Sequence, residues 1–422
     1  MATTICIPST ATACNPGDIA WVIAATALVM IMTPGLGFFY GGLVRRKNLV
    51  STIVQCMAIF AVVSLAWAIW GYTLAFGPSS LDGFIGNFNF FALNGVGTAA
   101  DTTYSSTIPA LLFFAFQLKF AAITPALIIG AFAGRIRFKA LLIFILAWVT
   151  FIYFPVAHWI WGGGGWLHTM GVEDFAGGMV VHTTAGVSAL AAALVIGRGV
   201  DFGKESRPNN VPYVILGTAI LWFGWFGFNA GSSLSADGVA VNALVVTNLA
   251  AAASGVSWML LDWFRKGKPS AVGMCVGFVC GLAAVTPAAG YVGPALAMVI
   301  GVVAGVGCNF VAAWRARTKL DDSLDVFACH GVGGMWGTVA TGLFASVAIN
   351  SAGQNGLIYG NAHFALLQMF AVAVVAVFSF VGTFVILHVI NFFSPLRASA
   401  EEEKAGLDEV HFGEEAYYPA SE

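Results

Sequence analysis

The chain has 422 residues, of which 59% are hydrophobic and 9% are charged, and its formal net charge is −2. Soluble domains carry about 25% charged residues, so this composition excludes an ordinary soluble fold. The small net charge also argues against nucleic acid as a partner.

Apolar runs recur along the whole chain, and many are long enough to cross a bilayer, which takes about 20 helical residues. Eleven such runs lie at 19–42, 50–76, 105–130, 140–158, 176–197, 211–230, 240–263, 271–287, 291–314, 327–348 and 363–392. Only Thr286, Pro287 and Gly290 interrupt the sequence between the eighth and ninth runs. The sequence therefore predicts an all-α polytopic membrane protein with eleven transmembrane helices.

The basic residues favour one side of these helices. Seventeen of the eighteen Lys and Arg residues follow odd-numbered helices, and the loops that follow even-numbered helices contain none. Because cytoplasmic loops are enriched in Lys and Arg, this pattern predicts an outer N-terminus and a cytoplasmic C-terminus in the cell (inner) membrane.

The two polar ends have different predicted roles. Residues 1–18 form an outer segment without the basic start of a secretory signal. Its Cys6 and Cys14 would form a disulfide if the outside is oxidising, or remain two free thiols. The polar tail at 395–422 would either dock against cytoplasmic loops or a partner, or stay disordered.

Two motifs recur in the second half of the chain. The glycine- and phenylalanine-rich segment 37–42 of the first run resembles 224–232 of the sixth, and the fifth and tenth runs each begin with an aspartate and a histidine. Because the offset is five helices, the halves would face opposite ways across the membrane, as in transporters whose site lies at the repeat interface. We therefore expect inverted five-helix repeats at 19–197 and 211–348, with an additional helix at 363–394.

Ionisable residues inside a bilayer are costly and usually functional. We expect His182 and His330 to meet as a polar pair in an apolar passage, able to hold a small amine or pass a proton. Asp174 and Asp325 lie at N-cap distance before their helices; we expect that role for Asp325, and for Asp174 an attraction for cations as well. No metal-type ligands accompany the histidines, so no metal and no cofactor is predicted.

These residues carry a recognisable pattern. The segments 161–164, 174–182, 224–232 and 325–331 resemble the ammonium transporter (Amt/MEP/Rh) family, closest to its bacterial and archaeal Amt branch, and the match extends over nearly the whole chain. The resemblance implies a homotrimer with one pore in each subunit and ammonium or methylammonium as substrate. It also implies that a PII-type regulator can act through the cytoplasmic tail.

The resemblance further implies roles for single residues: Trp161, Ser232 and Phe116 in external recruitment, Phe120 and Phe228 as a stacked gate, His182 and His330 in the pore, and Asp174 as a carboxylate needed for transport. A cation–π site holds ammonium and potassium alike. Only ammonium can shed a proton and cross an apolar pore as ammonia, so discrimination follows recruitment. We expect the proton to travel too, which would make transport electrogenic.

Lys119 departs from the family pattern, which generally has a small or apolar residue there. At 100° per residue it lies about 60° from Phe116 and about 100° from Phe120, so it borders the pore-facing stripe. It would either compete with ammonium for Trp161 or snorkel toward the headgroups or a subunit interface.

Three other functions stay open beside transport. A sensor would bind ammonium with little flux and signal through a partner at its tail. A neutral-gas channel of the Rh type suits Trp161 less well, because an indole ring attracts a cation rather than a gas. A membrane enzyme is least favoured, since no set of nucleophile, base and orienting group is present.

Overall fold

A computed structural model describes residues 14–204 and 207–417. Within them, ten helices are long and apolar enough to cross a membrane. These are α1 (Pro16–Leu43), α2 (Arg46–Phe76), α3 (Ala110–Phe132), α4 (Phe138–Thr169), α5 (Gly178–Ile196), α6 (Val211–Ser233), α7 (Gly238–Lys266), α8 (Ala271–Ala288), α9 (Pro294–Arg315) and α11 (Ala362–Phe393).

A further helical segment, α10, covers 327–344 between α9 and α11. It is not among the ten, so the class of a polytopic helical membrane protein is confirmed while the count of eleven is not. Two short helices, α12 (Ala400–Ala405) and α13 (Leu407–Phe412), follow in the tail. A small antiparallel pair, Ser79–Ser80 with Ile85–Gly86, lies in the loop after α2.

Side-chain caps fix the starts of several helices. The side-chain amide oxygen of Asn15 accepts the Gly17 N–H at 2.8 Å. Asn15 directly precedes Pro16, the first residue of α1. Caps of the same kind start five other helices: Asn210 for α6, Asp237 for α7, Ser270 for α8, Asn361 for α11 and Ser399 for α12. Each cap satisfies backbone donors that the helix itself leaves without a partner.

Glycines allow two helix pairs to approach closely. In α6, a Cβ on Gly217 would lie 2.3 Å from the Phe39 nitrogen of α1. In α5, a Cβ on Gly186 would lie 1.9 Å from the Gly331 nitrogen of α10. Small residues at such contacts are how helices pack in lipid. The first helices of the two predicted repeats therefore pack against each other, and so do their last helices.

The tail docks on one end of the bundle. This end carries the Lys- and Arg-containing loops that follow the odd-numbered helices, and we call it the basic face. The buried Asp408 carboxylate accepts the backbone N–H groups of Val50 and Ser51 at 3.0 and 2.7 Å, so it caps the start of a helix in another part of the chain. The buried Glu403 pairs with Arg397 at 2.5 Å. Of the two possibilities for the tail, docking holds for its described residues.

The cysteines fall into two groups. Cys14 is disulfide-bonded, and Cys6, the partner that the sequence suggests, lies outside the described residues. The other five are free and buried. They pack as small apolar side chains.

Candidate functional site

A line of rings runs into the interior of the bundle. It begins at the partly exposed Trp161, whose ring centroid lies 6.0 Å from that of Phe120. Phe120 lies 4.2 Å from Phe228, Phe228 lies 5.9 Å from His182, and His182 lies 5.3 Å from His330. The last four rings are nearly fully buried. The structure therefore brings five predicted site residues into one continuous row.

The outer end of this row opens into a cavity of about 630 Å³, which we call the Trp161 cavity. The Trp161 indole N–H donates to the Asp174 carbonyl oxygen at 2.7 Å, which fixes the ring in the cavity wall. The Ser232 hydroxyl, also in the wall, donates to the Phe228 carbonyl oxygen at 2.8 Å. Since its proton is engaged, the Ser232 oxygen faces the cavity as an acceptor.

Phe116 has a different place from the other recruitment residues. It is fully buried, and its ring lies edge-on to Phe120 with 4.9 Å between centroids. The residues of α3 that line the Trp161 cavity are Phe113 and Gln117. Phe116 therefore packs against Phe120 and does not line the cavity as the other two predicted recruitment residues do.

The two histidines face each other at the inner end of the row. Their Nδ1 atoms lie 3.3 Å apart and their rings are inclined by 18°. A neutral imidazole has one donor and one acceptor nitrogen, so the pair can share a single proton between these atoms. The buried Nε2 of His182 has no hydrogen-bond partner. The space beside the pair is about 10 Å³, and apart from the histidines its lining is hydrophobic.

Asp174 caps the segment that carries His182. Its carboxylate oxygens accept four backbone N–H groups, those of residues 177 to 180, at 2.6 to 3.1 Å. Three of these donors belong to the wide π-helical turn Gly178–Thr183, in which His182 lies, and Gly177 directly precedes it. Burial raises the pKa of Asp174, and the four N–H groups act in the lowering direction. Both oxygens are engaged, so the structure supports the capping role rather than a direct attraction for cations.

The corresponding cap in α10 is Asp322, and the prediction of Asp325 as N-cap was wrong. The buried Asp322 carboxylate accepts the N–H groups of Val326 and Phe327 at 3.1 and 2.8 Å. Asp325 instead has a positive φ of 55° and pairs with Arg315 at 2.8 Å. The reason is the wide turn Phe327–Val332, which moves the capping position toward the N-terminus.

The sequence held a signal for this arrangement. Asp322 precedes His330 by eight residues, and Asp174 precedes His182 by the same number. Burial raises the pKa of Asp322 to about 6, and the charge of Asp325 acts in the same direction. Between the capping aspartate and the histidine, the segment 322–330 thus carries a second carboxylate, Asp325, where the segment 174–182 carries none.

Lys119 is directed away from the cavity. Its ammonium group lies 5.0 Å from the centre of the Phe60 ring, and it is not among the described residues that line the Trp161 cavity. A cation over an aromatic face is stabilised by the ring quadrupole. Lys119 therefore lies between α3 and α2 and does not face Trp161.

Glu173 also lines the cavity, and the sequence motifs did not predict it as a site residue. It lies between a predicted outer loop and the motif at 174–182, and no motif includes it. Burial raises the pKa of Glu173 to about 8, against the lowering effect of the backbone N–H of Gln354.

A bundle of membrane-spanning helices around a narrow passage of rings defines a multi-pass membrane transport protein. The family model described as "Ammonium Transporter Family" matches residues 20–417. The chain therefore belongs to the ammonium transporter family, as its motifs predicted.

Relatives and solved structures agree with this assignment. The ammonium transporter of Bacillus subtilis is 47% identical over 402 residues, which cover 95% of this chain and 98% of the relative. The Amt1 transporter of Archaeoglobus fulgidus is 44% identical, over 96% of this chain and 100% of the relative. The crystal structure of Candida albicans Mep2 has a TM-score of 0.87 at 38% identity and covers 92% of this chain and 87% of its own. A structure titled "Sensor Amt Protein" has a TM-score of 0.86 at 30% identity, covering 94% and 98%.

Proposed function

We propose that this chain recruits ammonium in the Trp161 cavity, removes one proton, and passes ammonia along the row of rings to the histidine pair. The observation that carries this proposal is the unbroken succession from Trp161 to His330. The basic face lies in the cytoplasm and the Trp161 cavity lies outside, because Lys and Arg are concentrated in cytoplasmic loops.

Recruitment uses a ring face and an acceptor. A cation over Trp161 gains about 0.5–2 kcal/mol, depending on how much water it loses. The Ser232 oxygen accepts one N–H bond, since its own proton is given to Phe228. Both interactions suit a small cation that carries hydrogen-bond donors.

Selection follows at the phenyl rings. Phe120 and Phe228 lie 4.2 Å apart, which leaves no room for a hydrated ion between them. Below them an intact unpaired cation would lose its water for an apolar lining, at a cost of many kcal/mol. Ammonium avoids this cost by giving up a proton, whereas potassium cannot.

The histidine pair provides a route for that proton. One proton shared between the Nδ1 atoms leaves each ring able to donate or accept at its other nitrogen, and the Nε2 of His182 is the buried atom without a partner. The proton therefore crosses with the ammonia, and transport is electrogenic.

Several wider features belong to the same proposal. Helices α1–α5 and α6–α10 form two inverted repeats, supported by the packing of α1 on α6 and of α5 on α10. The protein is a homotrimer, as the family resemblance implies. A PII-type regulator acts on the cytoplasmic face, where the docked tail offers Asp408 and Glu403 contacts that a partner can shift.

Reconstituted liposomes test the mechanism. We expect ammonium or methylammonium to produce uptake and an inward current, and the His182→Ala variant to lose the current, because the shared proton then has no acceptor. The matched control is His388→Ala, which removes an exposed histidine of α11 outside the row of rings.

Undisturbed current in His182→Ala would refute the relay, while its loss in both variants would indicate damage to the fold. An absence of methylammonium uptake by the parent protein would refute transport itself.

A sensor is the second candidate, favoured by the similarity to the structure titled "Sensor Amt Protein". A sensor binds methylammonium but shows little flux. Measuring binding and uptake on the same preparation separates the two functions.

A further inference from the structure

Glu173 is held firmly at the wall of the Trp161 cavity. Its backbone N–H donates to the Gln368 side-chain oxygen at 3.1 Å, and the Gln368 amide donates to the Glu173 carbonyl oxygen at 2.6 Å. Gln368 is fully buried in α11. This two-bond clamp fixes the backbone of a residue that lines the cavity.

The carboxyl group of Glu173 has unused capacity. Its Oε2 is buried and has no hydrogen-bond partner, and a Cβ on Gly353 would lie 3.2 Å from that atom. The adjacent Asp174 differs, because both of its oxygens are occupied by backbone donors. A buried oxygen without a partner is costly, so a donor that reaches it gains by binding it.

The charges around Glu173 do not neutralise it. The titratable groups that line the cavity with it are Tyr104, His168, Asp174, Asp237 and Tyr291, and the described lining includes no Lys or Arg. Asp174 lies on the same loop and Tyr291 follows α8. The Gln354 backbone N–H faces Glu173 from the loop before α11, and Gln368 of α11 bonds the Glu173 backbone. The pKa of about 8 places the charge change of Glu173 near neutral pH.

We infer that Glu173 is a cation-capturing residue of the outer vestibule, which binds ammonium or a small primary alkylammonium ion ahead of Trp161 and makes that capture dependent on external pH. This inference rests on the proposed function, because it gives Glu173 a part in the same uptake. The carboxylate supplies the charge that Trp161 and Ser232 lack.

The direction of the pH effect follows from the charge. The ionised carboxylate attracts the cation and the protonated form does not, so affinity is highest above the pKa of Glu173 and falls as the pH drops through about 8. Methylammonium stays protonated throughout this range. A change in its affinity therefore reports the protein and not the substrate.

The test measures the methylammonium KM and kcat of full-length protein in liposomes between about pH 6 and about pH 9, with the affinity measured by NMR titration in nanodiscs. In the parent we expect KM and Kd to rise about twofold to fivefold as the pH falls, the effect of one partly exposed charge pair. In Glu173→Gln both constants should be high and independent of pH, with kcat unchanged.

Asp82→Asn is the matched control, since it removes one exposed carboxylate from a loop after α2 that is not part of the described cavity lining. A pH profile for Glu173→Gln identical to that of the parent would overturn the inference while leaving transport intact. The same change in Asp82→Asn would overturn it too, since only net charge would then matter. Because the NMR titration needs no flux, it tests Glu173 even if the parent fails to transport.

Discussion

The segments that lead into α5 and α10 share one plan but differ in their charges. In each, a buried aspartate lies eight residues before the histidine of the buried pair, and a residue with positive φ lies three residues after that aspartate. These residues are Asp174 and Gly177 in one segment and Asp322 and Asp325 in the other. Both segments then enter a π-helical turn that holds the histidine.

The differences separate a rigid segment from a titratable one. The Asp174 carboxylate accepts four backbone N–H groups, whereas that of Asp322 accepts two. The residue with positive φ is a glycine in the first segment and, in the second, an aspartate that pairs with Arg315. The same backbone path can therefore be held in two ways. The segment that contains Asp174 is held by hydrogen bonds alone, whereas the segment that contains Asp322 is held partly by the ion pair of Asp325 with Arg315.

Removing the two caps should give the largest effect. Asp174→Ala leaves four buried donors without partners, which costs at least about 4 kcal/mol at about 1–3 kcal/mol each. Asp322→Ala leaves two and should cost about half as much. Thermal unfolding in detergent, with the yield of folded protein, measures both; equal losses would show that the segments are held alike.

The membrane helices and the ring residues could be predicted because apolar runs and motif order depend on sequence alone. The predicted runs 211–230 and 271–287 match α6 and α8 to within a few residues. Asp322 could have been found from its eight-residue spacing to His330, which matches that of Asp174 to His182, but the usual N-cap position favoured Asp325 because it does not allow for a π turn. The direction of Lys119 could not be predicted, because helical angles do not identify the neighbouring helix. Glu173 could not be identified from the sequence, because the cavity that it lines is formed by residues far away in the chain.

Substitutions at the two residues with positive φ should change the stability of the two segments less than removal of the caps does. At Gly177, with φ of 119°, a Cβ would lie 2.6 Å from the Val181 side chain. Gly177→Ala should therefore cost about 1–2 kcal/mol or more. Asp325→Gly relieves backbone strain and loses the Arg315 pair, so its net change should stay within about 1 kcal/mol. A large loss in Asp325→Gly, seen in the thermal midpoint, would show that the ion pair dominates.

The smallest effect concerns the coupling of the two carboxylates on the basic face. Because the folded-state pKa of Asp322 is about 6, above its ordinary value of 3.8, ionisation of this group destabilises the folded protein. That loss of stability begins as the pH rises past the ordinary pKa and is complete above about 6. In Asp325→Asn the neighbouring charge is gone, so the pKa of Asp322 falls and the loss at neutral pH is smaller. The infrared band of the protonated Asp322 carboxyl, assigned with Asp322→Asn, should then disappear at lower pH than in the parent; an unchanged midpoint would mean that burial alone sets this pKa.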